Sequence, residues 1–197
     1  MTVAFFAGLA AGLLHVVSGP DHLAAVAPLA ADSDRAHWRA GLQWGVGHTT
    51  GVLLIAALLL VLREQLPLLA ISEYSERLVG VALIAVGLWG MWKASRAAST
   101  PHSHAGASFA MGAMHGLAGS SHLFGVMPAL AFSARADSVL YLAGFGAGAI
   151  AAMSAFAAGM GLLSVRFAGN NHRRYSGLLY ASSAAALVIG GFWLVGR

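Results

Sequence analysis

Residues 9–30 read LAAGLLHVVSGPDHLAAVAPLA, an apolar run whose middle carries His15, Ser18, Gly19, Pro20, Asp21 and His22. An apolar segment needs about 20 residues to cross a bilayer. A carboxylate and two imidazoles inside such a segment are costly, so they mark a functional site. Gly19-Pro20 should break the helix at that depth, because proline removes an amide donor and clashes with the preceding turn. Lipid tolerates such a break only where the backbone lines a protein cavity. The stretch predicts a broken membrane helix carrying metal-ligand chemistry.

Composition agrees. Of 197 residues, 58% are hydrophobic and 9% charged, whereas soluble domains carry about a quarter charged residues. An integral membrane protein is expected. The net charge of +4 does not indicate nucleic acid, because the basic residues sit between apolar runs and suit topology instead. The chain has no cysteine, which excludes disulfides, thiolate nucleophiles and Cys-rich zinc or iron–sulfur sites. No cleavable signal peptide is expected, since residues 1–14 lack a basic start.

Six apolar segments can be marked, at about residues 3–30, 38–62, 78–92, 109–132, 139–165 and 175–195. They are continuously apolar rather than alternating, so helices are preferred over a barrel. Residues 9–30 align without gaps on 109–130. His15 meets His115, Gly19 meets Gly119, His22 meets His122 and Pro28 meets Pro128. Weaker matches follow: Trp44-Gly45 with Phe145-Gly146, Tyr74-Ser75 with Tyr175-Ser176, and Gly87-Leu88-Trp89 with Gly191-Phe192-Trp193. The reading is an internal three-helix repeat, with residues 1–95 and 107–197 as its copies and 96–106 as a linker.

Three is odd, so the second copy enters the membrane from the opposite side. The expected fold class is all-α: a polytopic membrane protein of six transmembrane helices in two inverted three-helix repeats, helices 1 and 4 broken. Such plans are typical of secondary transporters, whose sites lie near the midplane on broken helices. Seven basic residues (Arg35, Arg39, Lys93, Arg96, Arg166, Arg173, Arg174) fall on one side, and four (Arg63, Arg77, Arg135, Arg197) on the other. The positive-inside rule then gives a multi-pass cell (inner) membrane protein with both termini non-cytoplasmic.

The candidate metal ligands are His15, Asp21, His22, His48, His115 and His122. Imidazole with oxygen ligands suits nickel, cobalt, zinc, copper(II), manganese or iron, whereas magnesium or calcium would want more carboxylates. A single intramembrane histidine can equally serve as an interhelical hydrogen bond; the repeated pair beside Asp21 favours ligation. His37, His102, His104 and His172 are predicted in loops, and Asp21 is read as the sole acid deep in a span. The methionines and Ser182-Ser183 read as packing.

His15-Val-Val-Ser-Gly-Pro-Asp21-His22-Leu, followed by Trp44-Gly-Val-Gly-His48-Thr-Thr-Gly, resembles the nickel/cobalt transporter family. The likeness is to its shorter branch with urease-associated and plastid members. In that family the His…Asp-His motif and the following Gly-His-Ser/Thr motif are held essential, which implicates His15, Asp21, His22 and His48. Five residues separate His15 from Asp21 here, where the larger permeases have four. Gly144-Phe145-Gly146-Ala147 also lacks the acidic residues those permeases carry in later helices. The resemblance implies transport of a divalent metal, nickel or cobalt favoured, with no permanent cofactor and no enzymatic step. It also implies the lipid bilayer, and a homo-oligomer or a metalloenzyme-maturation protein, as partners. No P-loop is present, so an ion gradient, the membrane potential or a partner supplies energy. The alternative is a membrane haem protein or metal-dependent membrane enzyme using the same paired histidines.

Overall fold

The computed structural model describes the chain except residues 1, 33–36, 63–67, 97–104, 119, 170 and 196–197. The side chains of 58–62, 68–76, 105, 118 and 120–124 also lie outside the described set. The described residues form helices and no strand. In chain order these are α1 (Thr2–Ser18), α2 (Pro20–Ala31), α3 (Trp38–Leu62), α4 (Leu68–Ser95), α5 (Ala105–Ala118), α6 (Ser120–Ala131), α7 (Arg135–Leu163) and α8 (His172–Val195). A π-helical turn, Ser164–Ala168, continues α7 and ends at Gly169, whose φ of 49° suits a residue without a Cβ.

The predicted helix break is real. α1 stops at Ser18, and α2 starts at Pro20 with Gly19 as its N-cap, the position where proline loses nothing by lacking an amide hydrogen. The two segments meet at 74°. The corresponding pair is α5 and α6, separated by one residue, Gly119, which lies outside the described residues.

Among the described residues, three helices are long and apolar enough to cross a membrane: Arg77–Ser95, Arg135–Ala168 and His172–Val195. The bent α1–α2 pair adds a fourth if counted as one span. Six predicted spans thus compare with three, or four with the bent pair, among the described residues; the apolar end of α3 and the junction of α5 and α6 lie outside that set. His172 also departs from expectation, because it opens α8 rather than sitting in a loop. The His102-Ser103-His104 segment lies outside the described residues.

Small residues set the packing. On α1 the buried positions are Ala4, Gly8, Gly12 and Val16, a stripe at every fourth residue, while Phe6, Leu14 and Val17 face outward. α1 packs on α7, and α5 packs on α3. A Cβ on Gly12 would overlap the carbonyl oxygen of Phe145, and one on Gly112 would overlap that of Trp44. Likewise Gly148 abuts the carbonyl of Leu9, and Gly47 that of Phe109. These are matching positions of the two sequence halves, so the same crossing is made twice with partners exchanged. Without strong hydrophobic driving force in lipid, such small-residue crossings supply the contact.

α2 is the inner element, burying ten of its twelve residues against α8, α7, α4 and α3. α6 is more peripheral, with Met127 and Leu130 exposed. Gly12→Leu should lower the thermal unfolding midpoint in detergent by overpacking, a cost on the order of 1–3 kcal/mol. Gly177→Ala, where a Cβ meets nothing within 4 Å, should leave the midpoint unchanged or raise it.

Candidate metal centre

The helix break brings the histidines together. His15 stands in the last turn of α1, and His115 in the last turn of α5. Asp21 occupies the first turn of α2, with His22 beside it. His48 comes from α3, carried toward α5 because Gly112 and Gly116 let the two backbones touch along Trp44 to His48. Gly19 completes the corner: a Cβ there would strike His22 Nδ1 and crowd Asp21 Oδ1.

Ring centroids lie 4.6 Å apart for His15–His22, 5.0 Å for His22–His48 and 4.7 Å for His22–His115. Asp21 Oδ1 is 3.1 Å from His22 Nδ1, and Asp21 Oδ2 is 3.1 Å from His115 Nε2. Two overlapping triads result, His15/His22/His48 and Asp21/His22/His115, each able to bring one ligand atom per residue within 4.8 Å of the others. His22, His48, Asp21 and His115 are buried, and His15 is partly so. The sequence-predicted set is thus assembled in five of its six members. His122 lies on α6, and its side chain is outside the described residues.

The electrostatics suit a cation. A helix C-terminus carries partial negative charge, and those of α1 and α5 both end at the cluster. Asp21 adds a full negative charge beside the N-terminus of α2, where the macrodipole favours it. Its Oδ1 accepts a hydrogen bond from His22 Nδ1–H, which sets the tautomer and orientation of that ring, and its Oδ2 lies within ion-pair distance of His115 Nε2.

Two aromatic walls close the site. Trp44 stacks on His48 at 5.1 Å and 16°, and Phe145 lies 5.4 Å from His15. Both are fully buried, and they are the pair matched in the sequence repeat. Sequence reading used them only as alignment markers; their adjacency to the histidines was the available signal. Asp32, beyond the first predicted span at the end of α2, is also buried, 0% exposed, and pairs with Lys93. His37 is not merely solvated: its Nδ1–H donates to the Ala30 carbonyl at 3.1 Å, and its ring packs on Gly161.

A helical protein with membrane-length apolar helices and a buried His/Asp cluster is therefore defined. It is similar to two curated proteins of Arabidopsis thaliana, Chloroplast protein FOR GROWTH AND FERTILITY 2 (43% identical) and Chloroplast protein FOR GROWTH AND FERTILITY 1 (39%). Each match spans 89 residues, so less than half of this chain (45%) matches about a quarter (24%) of each relative's length. No family model matches the chain, and no solved structure matches it.

Asp21→Ala should weaken divalent-metal binding in isothermal calorimetry by about 10–100-fold, the cost of losing a carboxylate that orients ligating histidines. Ser18→Ala, on an exposed hydroxyl bonded to the Leu14 carbonyl, should leave affinity unchanged.

Proposed function

We propose that the protein is a membrane permease for a divalent transition-metal ion, nickel or cobalt, built from six spans in two inverted three-helix repeats. The observation that carries this reading is the convergence of His15, Asp21, His22, His48 and His115 at a helix break. Broken helices with polar groups at matching places of two halves are the mark of a secondary-transport site. The exchanged glycine crossings of α1 on α7 and α5 on α3 support the repeat. The His…Asp-His and Gly-His-Thr motifs support nickel or cobalt through the transporter family they resemble. Two relatives named as chloroplast proteins are in keeping with the plastid members of that branch.

In this reading the ion is the cargo. It sheds water into the histidine cluster, with Asp21 balancing its charge. Rocking of one repeat against the other then exposes the cluster to either side in turn. The protein sits in the cell membrane with both termini outside, works as a transporter rather than an enzyme, and draws on an ion gradient, membrane potential or partner.

A haem reading fits the geometry less well. His22 packs edge to face on His15, His48 and His115 at 4.6 to 5.0 Å, which leaves no slot for a porphyrin plane between it and any of the three. Purified protein with a Soret band would overturn the permease reading in favour of haem.

Proteoliposomes should take up ⁶³Ni²⁺ or Co²⁺, and Asp21→Ala or His22→Ala protein that remains monodisperse should lose that uptake. Normal uptake by both variants would sink the proposal. Binding should weaken as pH falls, because each protonated imidazole loses the lone pair that ligates metal. A calorimetric series from pH 8 to pH 5.5 should therefore show affinity declining in the acid direction.

A further inference from the structure

The C-terminal end of α2 is clamped on every side. Asp32, its cap residue, forms a buried ion pair with Lys93 near the end of α4, the chain's sole lysine. It also accepts a hydrogen bond from the Tyr175 hydroxyl on α8 at 2.5 Å. Ser164, at the π-helical turn after α7, donates to the Ala31 carbonyl at 3.4 Å, and His37 donates to that of Ala30. A carboxylate at a helix C-terminus opposes the macrodipole, and the Lys93 ammonium offsets that penalty.

Exposed residues flank the clamp, and the buried length of α2 leads from it to His22. Arg96, Asn171, His172, Arg173 and Arg174 around it are exposed, whereas inward from it Leu29 and Ala25 are buried. His22, Ala25, Leu29 and Asp32 recur at helical spacing along one side of α2. Ten residues at 1.5 Å each put Asp32 about 15 Å along the axis from His22.

The position that matches Asp32 at the opposite end carries no anion. In the hundred-residue alignment Asp32 corresponds to Phe132, which packs 5.9 Å from the Tyr141 ring. The end of α6 is held by neutral bonds from α7: Ser138 to the Ala129 carbonyl at 2.7 Å and Tyr141 to that of Gly125 at 2.9 Å. The Asp32 clamp has no counterpart at Phe132.

We propose that Asp32, Lys93 and Tyr175 form a gate that seals one face of the histidine cluster, and that their separation frees α2 to open a path to it. This rests on reading the cluster as a transport site. Asp32 acts as a positioning residue that holds α2 and does not itself bind the ion.

The chain lacks cysteine, so Ala25→Cys in full-length protein reports access to the path between gate and His22. With the gate intact this thiol should resist a membrane-impermeant maleimide. Adding Asp32→Asn should accelerate labelling about a hundredfold, the shift expected from removing one partner of a buried ion pair. Adding Tyr175→Phe, which deletes only the hydroxyl, should accelerate it about tenfold and decides the matter if the Asn variant does not fold. A second reporter, Ala129→Cys at the other end, should stay unreactive in both. Unchanged labelling of Ala25→Cys in folded variants would overturn the gate, as would an equal rise at Ala129→Cys, which signals general loosening. Metal uptake is read separately: accelerated labelling in a protein that transports nothing keeps the gate and removes the transport reading.

Discussion

The structure depends on how Asp21 is paired. A carboxylate taken out of water costs several kcal/mol unless its oxygens find partners. Here each oxygen finds one, and the two come from different halves of the chain: His22 immediately next to it, and His115 on α5. Satisfying this one charge requires α5 to come against α2, which requires the glycine-lined approach of α5 to α3. That approach in turn delivers His48 and Trp44. The polar centre and the helix packing around it are two aspects of one constraint.

Much of this was legible in residues 9–30. Proline after glycine marked the corner, because its chemistry is local and needs no knowledge of neighbours. The grouping of His15 with His22 followed from their spacing, and His115 from the repeat. Asp32 was missed because its burial is made by residues far away in the chain: Lys93 and Tyr175 reach it from α4 and α8. A lone lysine near a helix end was the only hint, and it was spent on topology.

The two halves have also diverged in a directed way. α2 is enclosed and ends in an ionic clamp, while α6 exposes Met127 and Leu130 and ends in neutral bonds. Asp21 aligns with Ser121, and Asp32 with Phe132. Both acids lie on the first copy, so charge is confined to one of the two matching helices. On the proposed inverted plan, the two faces of the membrane would meet a protein of similar shape but different ionic character.

The exchanged crossings bear on biosynthesis. The glycine face of α1 is sheltered by α7, which begins more than a hundred residues later. At a ribosomal rate of about 5–20 residues per second, α1 waits on the order of ten seconds for its partner. Until then its stripe of Gly8 and Gly12 faces lipid or chaperone, while α3 waits a shorter time for α5. Neither half holds the contacts that would let it settle alone. Full assembly is thus a late event, and a chain interrupted after α4 would leave the membrane with unmatched surfaces marked for quality control.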